Sequence, residues 1–221
     1  MADSYVEIDS ILDDLDSVIE SEGCDPVSCG DTLKDLCKQW QYQCTRVDRE
    51  GIILSFVNME MPNAPVDDRF NWWSWTLLGP INHVELTVCG SCTTFRVTTQ
   101  LGSEFRAMKR FGPFYEHYGL MITREQCTNL TREIATRTGK PYDEWWLASL
   151  LCMFACECGD PESETCSKLV IESMRQASII DEDESLRNLP SDLYDWLLSD
   201  KITRQYQVER LEPDAVGEEM V

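Results

Sequence analysis

The chain has 221 residues, of which 43% are hydrophobic, so one domain with a sizeable core, with or without tails, is expected. Lys plus Arg number 19 against 40 Asp plus Glu, a net charge of −21. Such a balance argues against nonspecific binding to nucleic-acid phosphates and against electrostatic attachment to anionic lipid. No run of eighteen apolar residues is present, and the start MADSYVEIDSILDDLDS lacks the basic and apolar regions of a signal peptide. A cytoplasmic or nuclear location is therefore expected.

Residues 1–30 carry nine acidic side chains and no Lys or Arg. Ile8, Ile11, Leu12, Leu15, Val18 and Ile19 recur at helical spacing, which predicts an acidic amphipathic extension. It is either a solvated tail or a helix that docks in a groove, its own or a partner's. Gly23, Pro26 and Gly30 then break the chain. DTLKDLCKQWQYQCTRVDREG predicts a helix capped by Asp31 and ended by Gly51, with Leu33, Leu36, Cys37, Trp40, Cys44 and Val47 on one face. Residues 57–82 read as a Trp-rich loop around Trp72, Trp73 and Trp75; HVELTV within the stretch that follows alternates only weakly.

From about residue 92 the pattern reads as helical, cut by Gly112-Pro113, Gly119, Gly139 with Pro141, Gly159 with Pro161, and Pro190. Thr123 and Gln126 form a capping box that opens a helix to about Arg137. Trp145 to Cys156 is apolar all round except for Ser149, as expected of a central bundle helix. Ser163 can cap the next helix, with Leu169, Val170, Ser173, Met174 and Ala177 on one side. Pro190 opens a short helix burying Leu193, Trp196 and Leu197. Residues 201–221 read as an acidic tail.

The eleven cysteines are odd in number and carry no secretory context, so a disulfide framework is a poor reading. Cys89-Gly-Ser-Cys92 and Cys156-Glu-Cys158 with Cys166 could together hold zinc, with His83 and His117 the only imidazoles. The competing reading, reduced cysteines as small apolar fillers, is preferred, and no metal or cofactor is expected.

The segment LGSEFRAMKRFGPFYEHYGLMITREQCTNLTREIATRTGKPYDEWWLASLLCMF resembles the Bcl-2 family of apoptosis regulators, from the third homology motif (the death helix) through the first. Gly102, Ser103, Glu104 and Phe105 fall on the family's Gly-Asp-Asp-hydrophobic run. Thr123 falls on the threonine that starts the fourth helix, and Trp145 on the tryptophan of the first motif. Ile134-Ala135-Thr136 and the helix after Asp31 are similar to the Bak branch. Three features depart from the pattern: Trp146-Leu147 stands where the family has Gly-Arg, Thr94 and Thr98 replace larger apolar residues, and Ser103 replaces an Asp.

The resemblance implies an all-α, Bcl-2-like helical bundle over residues 31–200 with a central hydrophobic hairpin. It implies a non-enzymatic regulator of apoptosis that holds amphipathic death-motif helices of Bcl-2 family partners in a hydrophobic groove, in the cytoplasm or at the mitochondrial outer membrane surface. The groove residues would be Leu101, Phe105, Met108, Phe111, Leu130, Ile134 and Trp145. The death-helix-like positions would be Thr98, Leu101, Gly102, Ser103 and Phe105. Two alternatives accompany this expectation: a Bak-like effector that permeabilises mitochondria, and an acidic adaptor with a cysteine-bound zinc. Enzymatic activity is not expected, since no Gly-rich phosphate loop, His metal pair or Ser nucleophile elbow is present.

Overall fold

Residues 50–58 read EGIILSFVN, a short apolar run with no polar alternation. Such a run suits a strand covered on both faces, although periodicity alone does not separate it from a buried helix. In the computed structural model it is a strand, β1 (Glu50–Asn58), buried throughout residues 51–57. The structure describes residues 40–60, 79–88, 93–98, 102–107, 115–142 and 163–212.

Around β1 lie β2 (Ile81–Val88), β3 (Thr93–Thr98), β4 (Gly102–Ala107), β5 (Tyr115–Ile122) and β6 (Val208–Leu211). They form one six-stranded sheet in the order β4-β3-β2-β1-β5-β6, every neighbouring pair antiparallel. This corrects the expected all-α bundle. The segment expected as a death helix instead contributes to two strands, β3 and β4, paired through Thr98↔Gly102, Val97↔Ser103 and Phe95↔Phe105. The threonines that made a poor death helix are favourable strand residues, because branching at Cβ suits the pleated backbone. HVELTV is the body of β2, and the glycine at 119 lies inside β5 rather than between helices.

The helices are α1 (40–46), α2 (Arg124–Arg137), α3 (Cys166–Gln176), α4 (Pro190–Leu197) and α5 (Asp200–Gln205). α2 has the expected capping box: the Thr123 hydroxyl accepts from Gln126 N–H, and the Gln126 side chain accepts from Thr123 N–H. α4 begins at Pro190 as expected and buries Leu193, Trp196 and Leu197. The cap of α3 is Thr165, not Ser163, its side chain accepting from Lys168 N–H. The helix predicted to run to Gly51 ends at residue 46, where the chain turns through Asp48 at φ 54 and enters β1. Chain expected as tail supplies α5 and β6, with β6 completing the sheet edge against β5.

The period of two along each strand divides the core. On one face Ile52, Leu54 and Phe56 of β1, Val84 and Leu86 of β2, and Tyr118, Leu120 and Ile122 of β5 pack under α2, α3 and α4. These helices contribute Leu130, Ile134, Leu169, Val170, Met174, Leu193, Trp196 and Leu197. The other face carries Gly51, Ile53, Ser55 and Val57 of β1 and His117 and Gly119 of β5. Here the indole of Trp40, fully buried, lies flat against the two glycines. A Cβ on Gly119 would sit 2.5 Å from Trp40 Cε2, and one on Gly51 would sit 2.6 Å from Trp40 Cδ1. Only a residue without a side chain permits that approach.

Gly119→Ala should therefore lose about 1–3 kcal/mol of stability through overpacking. Trp40→Leu should cost stability by itself, yet reduce the penalty of Gly119→Ala when the two are combined. Denaturant unfolding of the two single variants and the double variant checks this; additive losses would show that the two side chains do not share the space.

Candidate active site

His83 and Glu85 are two residues apart on β2, so their side chains leave the same face. Their Nε2 and Oε1 atoms are 3.3 Å apart. The β1–β2 register steps from Val57↔His83 to Asn58↔Ile81, a bulge whose extra residue is Asn82, next to His83. Bulges re-aim side chains, and this one lies where β2 stops pairing with β3, whose contacts with β2 are Leu86↔Phe95 and Thr87↔Thr94. α3 packs against both β2 and β3.

Cys166 is the first residue of α3. The electrostatics of its thiol are set by the His83 ring and by hydrogen bonding from the backbone N–H groups of Val84 and Ser167. Burial is the largest influence on each group, and it opposes charge on both. For Cys166, the neighbouring imidazolium, its hydrogen bond and the two backbone donors outweigh burial, and the thiol falls below its ordinary range. For His83, the thiolate and then Glu85 outweigh burial, and its pKa rises. Both directions favour a thiolate–imidazolium pair, as does the place of Cys166 at a helix N-terminus. The His83 side chain is 25% exposed, so the pair borders solvent although Cys166 and Glu85 are buried.

The segment leading into Cys166 is held by several bonds. Glu164 bridges to Tyr142 in a parallel pairing and donates its N–H to Pro141 O at 2.9 Å. Its buried Oε1 receives Arg137 Nη1 at 2.9 Å and Lys140 Nζ at 3.4 Å. The same 137–140 turn is fastened to β4: Ser103 accepts from Lys140 N–H through Oγ at 2.8 Å and donates its own N–H to Lys140 O at 2.9 Å.

The residues proposed from the sequence do not assemble into a groove. Leu130 and Ile134 are fully buried beneath α2, in the core. Gly102 and Phe105 are on β4, Thr98 is on β3, and Ser103 is buried in the turn network just described. Leu101, Met108, Phe111 and Trp145 lie outside the described residues. So do the acidic segment 1–30, the Trp72–Trp75 cluster, the predicted helix 143–156, and Cys89, Cys92, Cys156 and Cys158. Among the described residues no group of three His, Cys, Asp or Glu side chains is placed to hold a metal, and no helix is long and apolar enough to cross a membrane.

Cys166 and His83 had entered the sequence analysis only as zinc-ligand candidates, and Glu85 not at all. Two signals were present: the His-x-Glu spacing, informative once HVELTV is a strand, and a cysteine directly after a capping threonine. Compared with known proteins, the chain matches no family model, no curated protein and no solved structure.

A second polar cluster lies on the helical face of the sheet. Glu116 accepts from Tyr118 and Tyr194 hydroxyls at 2.9 Å each and from Asn58 Nδ2 at 2.9 Å, with Arg210 at 3.8 Å. Burial pushes its carboxyl up, but these donors and the Arg210 charge outweigh burial and hold it below the ordinary carboxylate range. A lowered folded-state pKa contributes stability that is present above the unfolded value, about 4.3, and is lost as pH falls through the folded value. Glu116→Gln should thus be clearly destabilised at pH 7, and the difference from the parent should shrink on acidification below about pH 4. Denaturant unfolding across that range checks it; a constant difference would assign the loss to packing.

Proposed function

We propose that the protein is a cysteine-dependent hydrolase or transferase acting on an acyl group. The observation that carries this is the Cys166 thiol at the start of α3, facing His83, with two backbone N–H groups on the sulfur. A nucleophile, a base within reach and a third group orienting the base are the parts that acyl transfer requires, whatever the fold that supplies them. The expectation of a non-enzymatic protein rested on absent motifs; the meeting of residues from distant parts of the chain favours a different proposal. The groove reading has no comparable support, since the bundle it needs is not the fold.

The roles follow from the chemistry. The Cys166 thiolate attacks the carbonyl carbon of an ester, amide or thioester, and the carbonyl π electrons move onto oxygen. The N–H of Cys166, a first-turn amide with no acceptor inside its own helix, is a donor available to that oxyanion. Collapse expels the alkoxide, amine or thiolate, which takes its proton from the His83 imidazolium. The acyl group remains on Cys166 as a thioester. Neutral His83 then removes a proton from water, or from another acceptor nucleophile, as it attacks the thioester. Cys166 departs as thiolate, and His83 is again protonated. Glu85 holds the imidazole by Nε2 and stabilises its charged form, as the third member of such sets does.

The chain supplies its own reference thiols. Cys44 and Cys127 are pushed up to about 11, by burial first and by the Glu50 charge second. Iodoacetamide at pH 6–7 should therefore label Cys166 well before either of them, as read by peptide mass spectrometry. His83→Ala should remove that early reaction and return Cys166 to the profile of an ordinary or buried thiol. Equal early labelling in the parent and the His83→Ala protein would refute the proposed pair. A thioester-forming acyl probe should acylate the parent at Cys166 and leave Cys166→Ser unmodified.

A further inference from the structure

Glu85 is a buried carboxylate, and such a group needs donors. One is His83. The other comes from two strands away: the Tyr115 hydroxyl of β5 donates to the same Oε1 at 3.3 Å. The registers explain the reach. Val57 of β1 is opposite His83 on one side and Tyr115 on the other, while Ser55 is opposite Glu85 and His117. His83, Tyr115, Glu85 and His117 thus form two adjacent rows on one face of the sheet, with the small or short Ser55 and Val57 between them. Strands two places apart are separated by about 10 Å. A tyrosine is long enough to cross that interval over a valine, and its ring is held in place by stacking on His117, centroids 6.2 Å apart and planes 8° apart. His117 is fixed in turn by a 2.8 Å hydrogen bond shared between its Nδ1 and Ser55 Oγ.

We infer that Tyr115 is a positioning residue of the thiol site: its hydroxyl orients Glu85 toward His83, and through His83 it tunes Cys166. This rests on the assignment of Cys166 and His83 as the reactive pair. Among the described residues, the titratable groups that face Glu85 are His83 on its own strand and Tyr115 and His117 from β5; Cys166 faces His83 from α3. Burial holds His117 down to about 4, with the Glu85 charge opposing it, so His117 is neutral across the range tested and adds no competing charge. Without the Tyr115 hydroxyl, the Glu85 carboxylate is free to turn from Nε2. The imidazolium then loses part of its support, and the thiolate forms at higher pH.

The rate of Cys166 alkylation by iodoacetamide as a function of pH, read by mass spectrometry, tests this without knowledge of the substrate. Tyr115→Phe should slow the reaction at pH 6.5 roughly threefold to tenfold and move the midpoint upward, with near-UV circular dichroism unchanged. Glu85→Gln should move it further in the same direction. In the Glu85→Gln background, adding Tyr115→Phe should change nothing more, because the tyrosine acts through that carboxylate. 3-Fluorotyrosine at position 115, a stronger donor of nearly the same shape, should shift the midpoint downward, and it keeps the question open to test if Tyr115→Phe does not fold. Superimposable profiles for the parent and a folded Tyr115→Phe protein, or full additivity with Glu85→Gln, would overturn the role of Tyr115 alone. A parent Cys166 that alkylates as an ordinary thiol would overturn the site itself and Tyr115's role with it.

Discussion

β1 is covered on both faces, and the rest of the molecule is arranged to satisfy that constraint. Seven consecutive residues, Gly51 to Val57, are buried, so neither face can be left to water. On one side α2, α3 and α4 supply an aliphatic layer; on the other Trp40 lies on glycines that let it approach the backbone. The single polar side chain in the run, Ser55, is paired with His117. The same enclosure acts on the polar rows beside β1. Glu85 is buried there, so its interaction with His83 is stronger than it would be between two fully exposed groups.

Local signals near helix ends were legible in the sequence because they depend on adjacent residues. The Thr123–Gln126 box and Pro190 each work within one turn, and both helices begin where those residues place them. The sheet was not legible for a physical reason. A strand buried on both faces loses the polar alternation by which strands are recognised, as GIILSFV does, and a run of β-branched threonines was measured against a helical template. Glycines 51 and 119 were taken as punctuation. Both lie inside strands, where they make room for a ring brought by a different element. The resemblance to a helical family was carried by letters spread across β3, β4 and α2, and letters at matching intervals do not require matching secondary structure.

The candidate site was hidden for a related reason. His83 and Glu85 share a face only if HVELTV is a strand, and Cys166 meets them only if β3 stops pairing with β2 before His83. Each condition is a property of the sheet, not of the neighbouring residues. The sequence placed the cap of this helix at Ser163, and the true cap, Thr165, sets Cys166 at the helix start; a cysteine there is unremarkable until an imidazole is placed beside it. Tyr115 could not have been found at all without the register that sets it across Val57 from His83.

The long separation along the chain between His83 and Cys166 also bears on how the molecule assembles. The sheet order puts β5 beside β1, and the last strand, β6, beside β5. Contacts between such distant segments close large loops, and topologies of that kind fold slowly. A chain emerging from the ribosome presents His83 and Glu85 well before α3 exists. Until α3 docks on β2, Cys166 has no imidazole beside it and keeps the reactivity of any unstructured thiol. The proposed Cys166–His83 pair is thus a property of the folded chain alone.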